Sequence, residues 1–320
     1  MTIDKVIEVS VLMPVYNGEK FLRESIDSIL NQTFTDFEFV IVNDGSTDTT
    51  VEIINSYNDQ RIKLISQPNR GVSNALNTGL KHAVGKYIVR MDADDISHPT
   101  RIEKQYNFIK NNPEYKIIGS DANYITEDKE FFYRYHSPAY THEEISEKII
   151  THCTFLHPSV MYVKEDIIAL GGYHEDAWGF EDHFLWARFI KAGKGKVRNL
   201  EEALIDYRFN KGSVTIDFND YDPQYLKTKN KVLKTGIIDK TDAEILKKSV
   251  KKVDEKLRAI SYHRLLAKKY LWSNYNLKKA RENIKLANQI APYQKKTIFL
   301  FLISLLPKNI ISFIYSLKKK

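Results

Sequence analysis

Short apolar runs alternate with helical patterns through the first 125 residues of the chain. Five of the runs predict strands, and they begin at Val9, Phe37, Ile62, Tyr87 and Ile117. Between them, apolar residues recur at helical spacing over segments of about 10–15 residues. Strands separated by helices of this length indicate an α/β protein with a mostly parallel, doubly wound central sheet.

The rest of the chain divides into two further regions. Residues 126–220 are less regular and rich in aromatic residues and glycine, and we expect them to complete a domain over 1–220 whose first half is about 7–125. Residues 221–320 are helical in pattern and carry 24 Lys or Arg against 7 Asp or Glu, whereas residues 1–220 carry 24 against 34. Such asymmetry predicts a basic helical extension with an anionic partner, either nucleic acid or a membrane surface.

The last residues of this extension are apolar and flanked by lysine. Residues 297–306 and 310–317 are almost uninterrupted apolar runs, and Lys295, Lys296, Lys308 and three terminal lysines surround them. Each run is shorter than the roughly 20 residues that a spanning helix needs. We therefore predict that the tail 297–320 associates with anionic lipid at a membrane surface. The alternative is a helical hairpin that covers a core or a homodimer interface.

Cysteine content and the chain start bear on location. A single cysteine, Cys153, excludes an intramolecular disulfide framework and any multi-cysteine metal site. The first eight residues lack the pattern of a secretory signal. We expect a cytoplasmic protein, peripheral at the inner face of the cell membrane.

Polar residues follow each of the first four predicted strands. They are residues 14–19, 43–48, 69–71 and 92–95. Ligands of open α/β sheets bind beyond the carboxyl ends of the strands, so these segments should converge on one crevice. Asp92, Asp94 and Asp95 would repel one another there unless a cation lies among them, and oxygen ligands favour Mg²⁺ or Mn²⁺. An acidic turn that caps the next helix is the alternative.

Two common nucleotide-binding signatures are absent. No Gly-x-Gly-x-x-Gly follows the first strand, and no Gly-x-x-x-x-Gly-Lys-Ser/Thr occurs in the chain. A Rossmann dehydrogenase and a P-loop NTPase are therefore disfavoured.

The motifs over about residues 7–210 resemble the family 2 glycosyltransferases in order and spacing. They are the segments 9–19, 28–34, 42–48, 69–73 and 91–95. The resemblance implies a GT-A fold, a nucleotide-diphosphate sugar donor, a divalent metal and inversion at the anomeric carbon. It makes 7–125 the nucleotide-sugar half and 126–220 the acceptor half.

By position, the resemblance also implies roles for individual residues. Asp44 would accept the N3–H of a uracil base, and Asp94 of the Asp-x-Asp motif would hold the metal. The implied nucleotide-sugar-binding residues are Pro14, Val15, Tyr16, Glu19, Asp44, Arg70, Asp92 and Ala93. One departure is Leu76, where the family commonly has arginine, so we assign no charged role there.

Glu181 and Asp182 follow the Gly-Gly-aromatic stretch 171–173, and the resemblance implies that such a pair supplies the base on the acceptor side. We predict Asp182 as the general base, with Glu181 beside it, whereas without the resemblance the pair would be assigned to the helix dipole. Trp178 is predicted to stack on an acceptor sugar, with a core role as the alternative. His157 is predicted at the acceptor side or near the diphosphate.

These features predict an inverting, metal-dependent glycosyltransferase. It would transfer a sugar, most simply from a UDP-sugar, to a saccharide or lipid-linked saccharide acceptor in surface polysaccharide synthesis. The alternatives are a nucleotidyltransferase that shares the nucleotide crevice and a non-catalytic module that binds nucleic acid or another partner. We do not expect nucleic acid to be a partner of the enzyme.

Overall fold

A computed structural model describes residues 7–211, 222–248, 255–273 and 275–317. Among these residues two compact units are distinguished. One comprises the described residues of Met1–Ala122, Tyr135–Tyr207 and Asp222–Ser249, and the other those of Asn123–Arg134, Arg208–Tyr221 and Val250–Lys320. The domain boundary expected at residue 220 lies outside the described residues. The terminal lysines expected to contact lipid, Lys318 to Lys320, also lie outside them.

The sheet begins with four parallel strands in the order β3-β2-β1-β4. They are β1 (Val9–Val15), β2 (Phe37–Asn43), β3 (Ile62–Ser66) and β4 (Tyr87–Arg90). Every residue of β1, β2 and β4 is buried, as expected for strands covered on both faces. The α/β class and these four strands agree with the sequence prediction.

Beyond β4 the sheet is mixed. The order continues β8-β6-β9-β5, with β7 paired to β6. These strands are β5 (Ile96–Ser97), β6 (Tyr115–Ile125), β7 (Phe131–Tyr135), β8 (Met161–Val163) and β9 (Lys196–Arg208). β8 is antiparallel to both β4 and β6, and β5 is antiparallel to β9. The doubly wound parallel arrangement is thus confined to the first four strands.

Nine helices accompany these strands in the described residues of the first unit. They are α1 (Leu22–Leu30), α2 (Thr50–Asn55), α3 (Val72–His82), α4 (Arg101–Asn111), α5 (His142–Lys148), α6 (Lys164–Ala169), α7 (Glu181–Lys191), α8 (Pro223–Thr235) and α9 (Lys240–Lys248). α3 approaches β1 closely at Gly79, where a Cβ atom would lie 2.0 Å from a methyl carbon of Leu12. The core of this unit includes Val40, Tyr162 and Trp186.

The second unit is mainly helical. Its described helices are α10 (Glu255–Trp272), α11 (Leu277–Ile290), α12 (Lys295–Ile303) and α13 (Lys308–Leu317). Its core is aromatic, and the rings of Phe209 and Tyr262 stack with their centroids 5.2 Å apart. No helix in the described part of the chain is long and apolar enough to span a membrane.

Candidate active site

The loops that follow β1 and β2 are joined by hydrogen bonds. Asn17 has a positive φ of 50°, its backbone N–H donates to the Ser46 hydroxyl at 2.9 Å, and its side-chain oxygen accepts from the Thr47 N–H at 2.8 Å. The Gly18 N–H donates to the Thr50 hydroxyl at 2.9 Å. These bonds hold the carboxyl ends of two adjacent parallel strands in one fixed arrangement.

Glu19 belongs to the same loop arrangement. Its carboxylate accepts from the Thr49 N–H at 3.1 Å and from the Thr49 hydroxyl at 2.8 Å, and its N–H donates to Asp48. A carboxylate engaged in this way shapes the loop. These contacts give Glu19 a loop-holding role, and its predicted contact with the nucleotide sugar stays a prediction.

Three predicted base-pocket residues lie where β1 ends. Pro14 and Val15 are buried in the strand, and the side chain of Tyr16 is 52% exposed immediately after it. An exposed aromatic ring beside buried neighbours offers a flat apolar face, which is what stacking on a base requires.

Asp44 organises the turn that follows β3. Its buried carboxylate accepts from the Arg70 N–H at 3.0 Å, the Gly71 N–H at 2.8 Å and the Gln67 side-chain amide at 2.7 Å. An ionised carboxylate has about four acceptor positions, so one remains for a further donor. The Arg70 side chain is exposed beside it.

Three carboxylates follow β4 at the same edge of the sheet. One oxygen from each of Asp92, Asp94 and Asp95 lies within 4.8 Å of the others. Asp92, Ala93 and Asp94 are half-buried, whereas Asp95 is fully buried. A set of carboxylate oxygens fits a hard divalent cation such as Mg²⁺ or Mn²⁺.

Two buried arginines lie beneath this acidic cluster. The Arg90 guanidinium is 2.5 Å from an Asp92 oxygen, and Arg101 donates to the Arg90 carbonyl at 2.8 Å. Burial lowers the pKa of Arg101 to about 9, although Asp95 opposes this shift. Burial also works against the charge of Arg90, but the ion pair with Asp92 outweighs it and the pKa of Arg90 is raised.

Glu181 and Asp182 begin α7. Glu181 accepts from the Gly179 N–H at 2.9 Å, and Asp182 accepts from the His183 N–H at 2.6 Å. The Cys153 thiol lies 3.6 Å from the second oxygen of Asp182. Burial, and then the charge of Asp182, raise the pKa of Glu181 well above its usual range, while Arg90 opposes the shift.

Arg90 acts on carboxylates from both parts of the candidate site. Its guanidinium pairs with Asp92 and also acts electrostatically on Glu181 and Tyr173. Tyr173 in turn interacts with Asp182. The strand-end cluster and the start of α7 therefore both experience the charge of the buried Arg90.

His157 is buried, whereas Trp178 is exposed. His157 is buried, its ring nitrogen lies 3.1 Å from the Tyr173 hydroxyl, and burial holds its pKa well below the usual range, so it is neutral at pH 7. Trp178 is 47% exposed, which argues against the core role considered for it. Acceptor roles for both residues stay predictions.

Comparison with known proteins identifies the family. Residues 10–169 match the family model described as glycosyl transferase family 2. The O-antigen biosynthesis glycosyltransferase WbnJ of Escherichia coli is 34% identical over 211 residues, which cover 64% of this chain and 81% of that protein. The chain belongs to glycosyltransferase family 2. The nucleotidyltransferase and non-catalytic alternatives are not favoured by this membership.

Solved structures agree with the GT-A fold of a family 2 enzyme. S. aureus TarS in complex with UDP superposes with a TM-score of 0.57 at 17% identity, covering 97% of this chain and 92% of that one. A mannosyltransferase from Pyrobaculum calidifontis, solved with GDP-Man and Mn²⁺, gives a TM-score of 0.51 at 17% identity, covering 99% of this chain and 89% of that one.

Several residues of the site were not predicted from the sequence. Arg90 directly precedes the acidic motif, but a strand-end arginine gives no signal of whether its side chain turns inward. The sequence assigns no role in the site to Cys153, yet its thiol lies 3.6 Å from an Asp182 oxygen. Lys229 was assigned to the basic extension, yet its ammonium interacts with Asp182, Cys153 and Glu181.

Proposed function

We propose that this family 2 enzyme transfers a sugar from a UDP-sugar to a saccharide or lipid-linked saccharide acceptor, with inversion and with the help of a divalent metal. The observation that carries the proposal is the buried Arg90, whose guanidinium pairs with Asp92 of the acidic cluster and also acts on Glu181 at the start of α7. The carboxylates of the Asp92–Asp95 cluster suit a metal bound to a diphosphate, and those of Glu181 and Asp182 suit proton transfer.

For the donor, Tyr16 and Asp44 would bind the uracil base of the nucleotide. The Tyr16 ring would stack on uracil, and the remaining acceptor position of Asp44 would take the N3–H of the base. Arg70 would contact the base or the phosphates, and Asp92 with Ala93 would lie near the ribose. Complexes of the structural neighbours with UDP and with GDP-Man support a nucleoside diphosphate as the donor's leaving group.

Asp94 would be the main protein ligand of the metal. A bound Mg²⁺ or Mn²⁺ would neutralise charge on the diphosphate oxygens. The Mn²⁺ in the mannosyltransferase complex supports the presence of a divalent metal.

For the chemistry, Asp182 would act as the base in a single displacement. The acceptor hydroxyl oxygen forms a bond to the anomeric carbon, and the bond from that carbon to the diphosphate oxygen breaks. The nucleoside diphosphate leaves with the electron pair, and the hydroxyl proton passes to Asp182. Burial and the charge of Asp182 raise the pKa of Glu181, so Glu181 holds a proton more readily than an ordinary glutamate does.

For location, we propose that α12 and α13 lie on an anionic membrane surface. Leu300, Ile303 and Ile311 face the core of the second unit. Seven other apolar side chains are 41–63% exposed, and Lys295, Lys296 and Lys308 are exposed near them; the seven are Ile298, Phe299, Phe301, Leu302, Leu305, Ile310 and Phe313. Apolar side chains with lysines at their borders suit an interfacial helix pair.

The O-antigen relative supports an acceptor in surface polysaccharide synthesis.

The proposed reaction can be tested by measuring nucleoside diphosphate release. UDP-sugars should be hydrolysed slowly with Mn²⁺ and without acceptor, whereas GDP-sugars should not. Asp94→Ala should abolish the dependence of UDP affinity on Mn²⁺, because the metal loses its main protein ligand. Unchanged UDP affinity with and without Mn²⁺ in the unsubstituted protein would contradict the metal assignment. Preference for GDP-sugars would contradict the role of Asp44.

A further inference from the structure

An exposed histidine and a buried aspartate form a pair apart from the residues assigned to the donor and to proton transfer. Nδ1 of His136 lies 2.9 Å from one carboxylate oxygen of Asp121. The histidine side chain is 67% exposed, whereas the aspartate side chain is 1% exposed. The other oxygen of Asp121 accepts from the Ser137 N–H at 2.9 Å and from the Tyr140 hydroxyl at 3.1 Å. The carboxylate is thus fixed by the segment that carries the histidine.

These contacts set the orientation and the tautomer of the His136 ring. An ionised carboxylate only accepts hydrogen bonds, so Nδ1 carries the proton that is donated to Asp121. The neutral ring then has its lone pair on Nε2. Within the described part of the chain, Nε2 of His136 has no hydrogen-bond partner. This nitrogen can therefore accept a hydrogen bond from a molecule outside the chain.

The sheet register places Asp121 at the edge of the sheet that carries the acidic cluster. β4 and β6 both pair with β8, and Val89 and Ile118 lie opposite the same residue, Met161. Asp92 and Asp121 each follow three residues further along the chain, and β4 and β6 run in the same direction. The two strands are separated by two strand spacings, roughly 10 Å. β6 lies on the far side of β4 from β1 and β2, whose loops are assigned to the nucleotide.

A buried asparagine of β9 connects the same segment to the surroundings of the proposed base. The Asn199 side-chain amide donates to the Ala139 carbonyl and to the Thr154 carbonyl, each at 2.8 Å. Thr154 follows Cys153, whose thiol lies 3.6 Å from an oxygen of Asp182. One amide group therefore holds both the segment after the histidine and the segment beside Asp182.

We propose that His136 is an acceptor-binding residue, oriented by Asp121, whose Nε2 accepts a hydrogen bond from a sugar hydroxyl of the acceptor. Its place beyond the acidic cluster, on the side away from the nucleotide loops, favours the acceptor over the donor. A nitrogen with a lone pair suits a hydroxyl, which can donate, and not an ionised phosphate, which only accepts. This inference rests on the proposed function of sugar transfer to a saccharide acceptor.

The first test does not depend on activity. In a long-range ¹H–¹⁵N spectrum of protein with labelled histidine at pH 8.5, His136 should show a protonated Nδ1 and an unprotonated Nε2. Its signals are identified by their absence from His136→Phe. With UDP and Mn²⁺ present, at least one member of a panel of methyl glycosides should shift the Nε2 resonance, because a hydrogen bond to the lone pair changes the shielding of the nitrogen. UDP and Mn²⁺ alone should not shift it.

The second test separates acceptor affinity from the other steps. The glycoside that most increases UDP release from the donor serves as the acceptor. His136→Phe keeps a flat ring without a hydrogen-bonding nitrogen, and the KM for this glycoside should rise about two- to tenfold, the range for losing one hydrogen bond. The donor KM, the UDP affinity and UDP release without glycoside should stay unchanged. His136→Gln should recover part of the loss, because its side-chain amide oxygen can accept a hydrogen bond near the position of Nε2.

His82→Phe is the matched control. His82 is also exposed, and its Nδ1 lies 2.9 Å from the Thr78 carbonyl, which likewise fixes the ring. This histidine ends α3 and precedes the first residue of β4, so it lies at the opposite edge of the sheet from the acidic cluster. The control should leave the glycoside KM unchanged.

Two results would overturn the inference. One is a Nε2 resonance of His136 that no glycoside of the panel shifts. The other is a glycoside KM in His136→Phe that is unchanged, or that rises together with the donor KM, because the latter pattern indicates a structural role. A protein that neither hydrolyses nor transfers any UDP-sugar would instead contradict the proposed function, and the response of the Nε2 resonance would still decide whether His136 binds sugar.

Discussion

Glu181 and Asp182 are adjacent in the chain but have unequal surroundings. Glu181 accepts from the Gly179 N–H, and burial and the charge of Asp182 raise its pKa. The second oxygen of Asp182 lies 3.6 Å from the Cys153 thiol, and Asp182 also interacts electrostatically with Lys229. Carboxylates with different surroundings divide acid and base roles between them.

We therefore expect Asp182→Asn to separate binding from chemistry. Asparagine keeps the size of the side chain but cannot take a proton at neutral pH. Turnover should fall by on the order of 10²–10⁴, the range for losing a general base, while donor affinity measured by calorimetry changes little.

Glu181→Gln is the control for this substitution and should lose less activity. If Glu181→Gln is inactive while Asp182→Asn retains transfer, the two roles are reversed. If both variants retain transfer, the base is another residue.

At the scale of elements, the strands and helices that carry the nucleotide loops could be predicted from the sequence. β2 and β3 begin at the predicted residues, Phe37 and Ile62, because aromatic or β-branched apolar residues, which favour strands, start there. β5 and β8 were not predicted, since they contain two and three residues and are defined by their partners across the sheet. The approach of α8 to α7 was also unpredictable, because it depends on the tertiary contacts of Phe180 with Tyr225 and Lys229.

The exposed apolar residues of α12 lead to a prediction about this element. Phe301 and Leu302 are about half-exposed, and full burial of one such side chain is worth about 1.5–3 kcal/mol. Replacing both with serine should weaken binding to phosphatidylglycerol vesicles by on the order of tenfold or more in co-sedimentation. Leu257→Ser, at an exposed leucine of α10, is the control and should have little effect.

Two results would contradict a membrane role for these helices. The first is that the unsubstituted protein sediments no better with phosphatidylglycerol vesicles than without them. Alternatively, the double substitution could convert a dimer to a monomer in gel filtration, in which case the apolar face is an interface between two copies of the chain.

At the scale of the whole molecule, charge is divided along the sequence. Residues 221–320 have an excess of 17 positive charges and residues 1–220 an excess of 10 negative charges. Composition alone could not choose between nucleic acid and lipid as the anionic partner, since both attract lysine through phosphate groups. The structure adds exposed apolar side chains next to Lys295, Lys296 and Lys308, and a polyphosphate backbone offers no apolar phase to receive them.

Lipid and nucleic acid, as alternative partners of the basic region, predict different responses of binding to salt. Binding to nucleic acid through several phosphates falls steeply with salt, by about 10³–10⁵ between 50 and 200 mM for six to ten contacts. Binding to phosphatidylglycerol vesicles should fall much less over this range, because burial of apolar side chains is not screened by ions. We also expect that duplex DNA or RNA at 150 mM salt leaves the vesicle-bound fraction unchanged. If either nucleic acid displaces the protein from vesicles, or if vesicle binding shows the steep slope, the basic region acts through its lysines alone and the apolar helices have another role.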